Sequence, residues 1–561
     1  MDRRPWHDYY PQEVPTTLDY PSVPITTLLQ TTAEQYPDRP AVTFFGKRTK
    51  YKELLQQSYR FANGLHSLGV VPGDRVALLL PNMPQYVICY YGALFGGATV
   101  VQLNPLHVER ELLRHIIDSQ ADTIVCLDLL LPRIRNIREK AGLKRIIVTG
   151  IRDELPLVKK ALYPLVQKRK GPLPKYDAEQ EQLFTLHRLL RSAKPESVTH
   201  PVDPERDVAV LQYTGGTTGA PKGVMLTHAN LAANTRQCAS WMYKVDAGQE
   251  IMLAAVPLFH VYGMTVCMNF GLSIGANMVL VPKFEVENLL KTIHREKPTI
   301  FPGAPTMYIA INHHPDSAVK YKLSSIRCCI SGSAPLPLEV QQQFERLTGG
   351  RLVEGYGLSE CSPVTHANPI WERRKTGSIG LPWPDTDSKI VDMDTGDTLP
   401  PNQIGELLLK GPQVMKGYWN KPEETAVTVG DGWLRTGDMA YMDEEGYFYI
   451  VDRKKDLIIA GGFNIFPREV EEVLFEHPDV LEAAVIGVPD EYRGETVKAF
   501  IVCKPGVQVS ESELDSYCRL KLAAYKVPRI YEFRDSLPKS MIGKVLRREL
   551  REEQPADDPK G

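Results

Sequence analysis

The sequence predicts a layered α/β fold: a large multilayer N-terminal domain with a β-rich lobe, then a small C-terminal α/β domain. Three observations carry this reading. Helical apolar periodicity alternates with short β-rich runs from the start of the chain. Strand and glycine-turn signals become dense beyond Asp207. The length, 561 residues, exceeds what one hydrophobic core organises.

The elements follow in order. Residues 26–36 read as a helix, 41–45 as a strand, 51–68 as a helix and 75–80 as a strand. The most apolar stretch of the front half, 86–101, is short of the roughly 20 residues a membrane-spanning helix needs, and reads as a buried helix followed by a strand. Further β-rich runs lie at 123–126 and 145–148, with helical patterns between them. Residues 155–175 combine Leu157, Val158, Leu162, Tyr163, Leu165 and Val166 with Lys159, Lys160, Lys168, Arg169 and Lys170. That composition suits a solvated surface helix interrupted at Pro164, or a weak docking site for anionic lipid headgroups.

Residues 208–212 read as a strand leading directly into a glycine- and threonine-rich turn. Strands are expected at 251–256, 276–281, 326–330 and 405–410, helices at 286–296 and 338–347, and turns dominate 377–417. A strand at 447–451 precedes the charged run Asp452-Arg453-Lys454-Lys455-Asp456. Beyond it come a proline-opened helix at 467–475, strands at 481–488 and 496–502, and a helix at 511–522. These suffice for a separate domain, which divides the chain into residues 1–454 and 455–561.

Composition excludes several classes. Lys and Arg total 66 against 68 Asp and Glu, a formal net charge of -2 that offers no basic surface for nucleic acid. Nine cysteines form no CxxC pair, which argues against a disulfide scaffold or a structural zinc site and for a reducing compartment. Residues 1–20 are polar, without the apolar core of a signal peptide. The expected location is cytoplasmic, with peripheral contact at the inner membrane surface allowed.

The strongest local signal is Tyr213-Thr214-Gly215-Gly216-Thr217-Thr218-Gly219-Ala220-Pro221-Lys222-Gly223. Closely spaced glycines let backbone N–H groups converge on anionic oxygens, and Thr214, Thr217 and Thr218 add hydroxyls. Lys222 adds a mobile positive charge suited to phosphate. The spacing is not that of a P-loop, because Gly223 stands where Ser or Thr would follow the lysine.

With this loop the sequence resembles the adenylate-forming superfamily of acyl-CoA synthetases, luciferases and peptide-synthetase adenylation domains, over residues 25–552. Within it the chain is most similar to bacterial long-chain fatty-acid–CoA ligases. The resemblance implies that Thr214, Gly215, Gly216, Thr217, Thr218, Gly219 and Lys222 wrap the ATP phosphates. A second match is Gly355-Tyr356-Gly357-Leu358-Ser359-Glu360. It implies Tyr356 and Gly357 near adenine, Ser359 at the α-phosphate and Glu360 on Mg²⁺, with Thr217 as a second metal-side group. Ser359 replaces the usual threonine and keeps the hydroxyl. Ser331-Gly332-Ser333-Ala334-Pro335 resembles the adenine-side loop, with Ser333 at the nucleotide. Thr436-Gly437-Asp438 resembles the ribose segment, where a carboxylate accepts both ribose hydroxyl hydrogens; Arg453 adds a ribose or phosphate contact.

Pro538-Lys539-Ser540-Met541-Ile542-Gly543-Lys544 resembles the mobile catalytic-lysine loop, and Lys544 rather than Lys539 is the expected catalyst. A lysine bridging carboxylate and phosphate offsets their repulsion as they meet. The same resemblance implies that the small domain turns about Lys455 between two half-reactions. Gly461 and Gly462 then approach the pantetheine of CoA. No carrier-protein pattern follows residue 552, so diffusible CoA is the expected thiol. Residues 256–264, Val256-Pro257-Leu258-Phe259-His260-Val261-Tyr262-Gly263-Met264, resemble the acyl-pocket segment, with His260 beside the reacting carboxylate and Phe259, Met264, Val266 and Phe270 as lining candidates. Gly303, Gly332 and Gly355 either leave room for a long tail or serve backbone geometry. A medium- to long-chain fatty acid ranks first as substrate and an aryl or other apolar carboxylate second. A nucleotide-binding regulator with degraded catalysis is the rival class, and intact Glu360, Asp438 and Lys544 argue against it.

Overall fold

A computed structural model describes residues 4–171, 174–198, 200–214, 221–460, 463–490, 493–540 and 543–553. Its largest sheet has eight strands in the order Gly417–Tyr418, Lys222–Thr227, Val208–Thr214, Thr99–Gln102, Arg75–Leu79, Thr123–Leu127, Arg145–Thr149 and Phe184–Thr185. From Val208–Thr214 onward in that order the strands are parallel. Their near-continuous burial is what a parallel sheet with both faces covered requires, and explains why these runs lack polar alternation.

The apolar helix Pro84–Phe95 is buried along its whole length against this layer. It crosses helix Tyr51–Ser67 at Gly92, where a Cβ would lie 2.6 Å from the Ser58 carbonyl oxygen. Only glycine allows the two backbones to approach so closely.

A second sheet runs Ile251–Ala254, Asn277–Leu280, Pro40–Phe44, Lys47–Lys50. Parallel bridges through Ile300 join Ile251–Ala254 to a third set, Cys328–Ser331, Arg351–Gly357, Val364–Ala367 and Leu381–Pro382. The β-rich lobe is antiparallel: Asp387–Val391, Gly405–Lys410, Trp433–Met442 and Val429–Gly430, with Phe448–Arg453 paired to Trp433–Met442.

After the turn Lys454–Asp456 a new sheet begins: Phe463–Ile465, Ile458–Ala460, Gly494–Cys503, Val480–Asp490, with Ile530–Phe533 beside Gly494–Cys503. Its two faces have separate cores built only from residues beyond 457. Ala483 and Val485 point into one, and Ala484, Ile486 and Val488 into the other, the alternation of a strand covered on both sides.

Two expectations are corrected. The helix expected to break at Pro164 runs unbroken over Leu157–Lys170. Proline removes its own N–H and frees the carbonyl four residues back; Arg152 Nε donates to that Lys160 oxygen at 3.3 Å. The turn-rich region 377–417 also contains the strand Asp387–Val391, and the ten-residue strand Trp433–Met442 carries no simple alternation in sequence. No described helix is long and apolar enough to cross a membrane.

The helix Arg547–Glu552 is clamped to the junction between the sheets. Arg547 bonds Glu471 at 2.6 Å and reaches Asp456 at 3.3 Å and Asp452 at 3.5 Å; Arg551 meets Asp456 at 2.9 Å. Removing one partner of such a buried cluster leaves charge uncompensated. Arg547→Met should therefore destabilise the C-terminal unit by about 3 kcal/mol, seen as a lower urea midpoint by tyrosine fluorescence and hydrogen exchange. An unchanged midpoint would refute the clamp.

Candidate active site

The site is built where the α/β body, the β-rich lobe and the C-terminal domain meet. Asp438, buried on strand Trp433–Met442, is its centre. The Tyr356 hydroxyl donates to Asp438 Oδ2 at 2.5 Å, and Arg453 Nε lies 3.2 Å from Oδ1. The pairing is set by register, since Asp438 and Arg453 are cross-strand partners. Charge-assisted bonds to two oxygens satisfy a carboxylate that water cannot reach. The Asp438 carboxylate raises the Arg453 guanidinium further above its ordinary value.

Lys544 enters this cluster from the C-terminal domain. Its loop is closed by hydrogen bonds from Ser540 N–H to the Lys544 carbonyl at 2.8 Å, and from Leu546 N–H to the Pro538 carbonyl at 2.9 Å. Gly543, with φ +75°, sits so close to helix Pro305–Asn312 that a Cβ would lie 2.0 Å from Thr306 Oγ1. The loop is thus seated on the large domain. Burial, then the nearby Arg453 guanidinium, lowers the Lys544 ammonium to about 8. Lys539, by contrast, is tied to Glu482.

His260 faces Lys544. Burial, and then the Lys544 charge, lowers its imidazole to about 4, so it is neutral at neutral pH. Its Nδ1 accepts from Tyr262 N–H at 3.2 Å, which leaves the proton on Nε2. The segment around it is pinned by Asn82, which sequence reasoning missed. Asn82 donates to the carbonyls of Ala254 and Val256 at 2.9 and 2.8 Å and accepts from Leu258 N–H at 2.8 Å.

The chain then enters a π-helical stretch, Gly263–Asn269, in which the N–H of Phe270 reaches back to the Thr265 carbonyl. Such wide turns often mark functional sites. Phe259, Met264, Val266 and Phe270 are all buried here. Tyr262 spans to the adenine-side loop, donating to the Ile330 carbonyl at 2.6 Å. Ser333 occupies the turn after strand Cys328–Ser331 with φ +75°. The three glycines weighed as tail space pack closely instead: a Cβ would lie 2.8 Å from Tyr308 at Gly303, 3.3 Å from Tyr262 at Gly332 and 2.8 Å from Ile330 at Gly355.

Glu360 and Ser359 share one short turn after strand Arg351–Gly357. Gly357, at the end of that strand, would place a Cβ 2.0 Å from the Pro363 carbonyl oxygen. The Tyr418 hydroxyl donates to Glu360 Oε1 at 2.9 Å. Lys222 Nζ lies 5.1 Å from the centre of the same Tyr418 ring and is paired with Glu424. Tyr418 and Glu424 are further residues the sequence reading missed; Gly417-Tyr418-Trp419-Asn420-Lys421-Pro422-Glu423-Glu424 was the available signal. Thr214 and Lys222 are cross-strand partners at the end of a hairpin. Gly215, Gly216, Thr217, Thr218 and Gly219 lie outside the described residues, as do Gly461 and Gly462. Lys455 stands in the turn Lys454–Asp456 between the two sheets, and burial lowers its ammonium.

The AMP-binding enzyme family model matches residues 29–419, and the AMP-binding enzyme C-terminal domain model matches residues 469–544. This chain belongs to the AMP-binding enzyme family. A long-chain-fatty-acid–CoA ligase of Bacillus subtilis (strain 168) is 53% identical to it over 555 residues, covering 99% of each chain. A ligase of the same name from Escherichia coli O6:H1 is 40% identical, covering 98% of each. Among solved structures, ATP-bound MatB from Rhodopseudomonas palustris has a TM-score of 0.83 at 30% identity, covering 94% of this chain and 99% of its own. The anthranilate CoA ligase AuaEII in complex with anthranoyl-AMP matches with a TM-score of 0.83 at 30% identity, covering 95% and 98%. The resemblance to adenylate-forming acyl-CoA synthetases, and the large α/β domain with a smaller C-terminal domain, are borne out.

In this AMP-binding enzyme the close approach of Gly543 to Thr306 seats the Lys544 loop on the large domain. An alanine there meets both the left-handed backbone and the Thr306 side chain. Gly543→Ala should cut carboxylate-dependent ATP–diphosphate exchange between about ten- and a hundredfold, with thermal stability of the large domain unchanged. Wild-type exchange in this variant would show that the contact is dispensable.

Proposed function

We propose that this enzyme joins a fatty acid to coenzyme A at the expense of ATP, through an acyl-adenylate, releasing AMP and diphosphate. The observation that carries the chemistry is the convergence of Lys544 from the small domain on His260, Asp438 and Arg453 of the large one. The acid class rests on the 53% identity, along the whole of both chains, to a protein named a long-chain-fatty-acid–CoA ligase. An aryl acid is the weaker reading, because the anthranilate ligase shares 30%. Medium to long chains are favoured, since each buried methylene contributes about 0.8 kcal/mol.

In the first half-reaction a carboxylate oxygen attacks the α-phosphorus of ATP, and the bond to diphosphate breaks. Asp438 accepts the ribose hydroxyls, which displace the Tyr356 phenol, while Tyr356 and Gly357 flank adenine with Ser333 beside it. Thr214 to Gly219 and Lys222 hold the phosphates. Lys222 must leave Glu424 to do so, and Glu424 can reclaim it as diphosphate departs. Lys544 bridges the carboxylate and the α-phosphate, where two anions are driven together. Neutral His260 adds no charge that would hold the acid away from phosphorus.

The donor set fits Mg²⁺: Tyr418 holds Glu360 Oε1, while Oε2 has no protein hydrogen bond among the described residues, and a hard oxygen ligand is what this ion takes. Glu360, with the Thr217 hydroxyl, would hold the ion, which supplies charge neutralisation on the phosphates. Ser359 directs its hydroxyl to the α-phosphate and Arg453 braces the nucleotide.

In the second half-reaction the CoA sulfur, its proton lost to solvent, attacks the acyl carbonyl and the bond to AMP breaks. Lys544 has no part in that step. Residues 455–561 turn about Lys455 as one body against 1–454, withdrawing Lys544 and bringing the segment of Gly461 and Gly462 to the pantetheine.

A panel of octanoate, laurate, palmitate, oleate and benzoate with ATP, Mg²⁺ and CoA should yield acyl-CoA and AMP in equal amounts, with palmitate or oleate giving the highest kcat/KM. Absence of acyl-CoA from every fatty acid with folded enzyme would sink the reading. Lys544→Ala should depress adenylation by at least about a hundredfold while leaving thiol transfer to supplied acyl-adenylate within a few-fold. Because the free-enzyme ammonium is lowered to about 8, kcat/KM for ATP in adenylation should fall as pH rises through that value. A transfer half-reaction hit equally hard by the substitution would remove Lys544 from its assigned step.

A further inference from the structure

One residue of helix Glu109–Ser119 holds both stems of the glycine-threonine loop. The first stem ends at Tyr213 and Thr214, the second begins at Lys222 and Gly223, and register sets Tyr213 opposite Gly223. Alternation along strand Val208–Thr214 turns Tyr213 with Leu211 to the face on which this helix packs through Leu112 and Ile116. There the Tyr213 hydroxyl donates to Asp118 Oδ2 at 2.6 Å. The imidazole of His115 covers the Tyr213 ring, 4.6 Å between centroids with the planes 31° apart, and His107 lies 4.8 Å beyond His115. His115 and Asp118 stand three residues apart on one helix face, so ring and hydroxyl are met together.

The second stem is held through Trp419. The last carbonyls of a helix have no donor within it, and that of Asp118 accepts from the Trp419 indole N–H at 3.0 Å. The Trp419 backbone N–H donates in turn to the Gly223 carbonyl at 2.7 Å. Gly223 is wedged between the two side chains: a Cβ there would lie 3.3 Å from Trp419 Cβ and 3.3 Å from Tyr213 Cζ. The carboxylate of Asp118 thus takes one stem and its carbonyl the other. Trp419 also follows Tyr418, whose hydroxyl holds Glu360 and whose ring carries Lys222. The nucleoside end of the site is built on other strands, Arg351–Gly357 and Trp433–Met442.

A loop that wraps phosphate through backbone N–H groups gains most when those groups are aimed before the ligand arrives, because ordering them on binding costs affinity. We infer that Asp118 is a positioning residue for the ATP phosphates: by tying Tyr213 and Trp419 to one helix end, it fixes both stems of the glycine-threonine loop. This role rests on the reading of that loop as the holder of the β- and γ-phosphates.

AMP and the acyl-adenylate lack those two phosphates, which separates positioning from general damage. In titration calorimetry with Mg²⁺, Asp118→Ala and Tyr213→Phe should each weaken ATP binding about tenfold while AMP binding stays within about twofold. Both substitutions break the same bond, so together they should cost little more than Asp118→Ala by itself. Asp118→Asn keeps an acceptor for the phenol and should recover most of the ATP affinity. In steady state KM for ATP should rise, whereas thiol transfer from supplied acyl-adenylate should keep its wild-type rate. Tyr213→Phe leaves the ring stack in place, so it reports on the hydroxyl bond even where the alanine variant melts early. Wild-type ATP affinity in Tyr213→Phe and Asp118→Ala would overturn the inference alone, as would an equal loss of ATP and AMP binding. Failure of the wild-type enzyme itself to bind ATP would strike the phosphate reading of the loop, and the role of Asp118 with it.

Discussion

A carboxylate placed out of reach of water must be met by donors, and in this fold that demand falls on Asp438. Its two oxygens are met by Tyr356, from strand Arg351–Gly357 of the α/β body, and by Arg453, from strand Phe448–Arg453 of the β-rich lobe. The carboxylate thereby ties together two separately built layers. The C-terminal domain begins within a few residues of Arg453, and its lysine loop returns to the same cluster. Three parts of the fold thereby converge on one point.

The electrostatics around that point are ordered by burial rather than by net charge. Lys544 and His260 both shift toward their neutral forms because solvent is excluded first and like charge is close second. An ammonium in such surroundings gains from any anion placed beside it, which is the property a phosphate-transfer site needs. At the other end, Lys222 is held by Glu424 over the Tyr418 ring, and Tyr418 orients Glu360. The two ends handle charge differently. Positive charge near Lys544 is left partly uncompensated, whereas that of Lys222 is held by an exchangeable carboxylate.

Regular elements were legible where their periodicity is strong. The helix Val286–Glu296, the strand Gly405–Lys410 and the helix Pro467–Phe475 lie at the expected residues, because an amphipathic stripe or a proline start is a local property. Trp433–Met442 was not, since neighbours on both faces and at its edges decide which positions are buried. Pro164 misled for a related reason: the cost of a proline in a helix depends on whether a donor such as Arg152 takes the freed carbonyl, and that donor lies outside the helix. At the site, motif residues stood out by their spacing. Asn82, Tyr418 and Glu424 did not, because a buried amide, a phenol and a surface acid look ordinary until their partners are known.

By itself the sequence determined the class of chemistry. Clustered glycines and threonines, an acid after a short strand and a lysine in a turn are chemical signals that survive without coordinates. It also determined which segments are helix and strand wherever local preference and burial agree. The tertiary structure added the reason that Lys544, which the motif had singled out over Lys539, acts on His260: Glu482 claims the other lysine from a distant strand. It alone decided that Gly303, Gly332 and Gly355 serve close packing, and that the stripe of Leu157, Val158, Leu162 and Leu165 faces water. Periodicity records that a helix has two faces; which one meets the protein is set by contacts from residues far away in the chain.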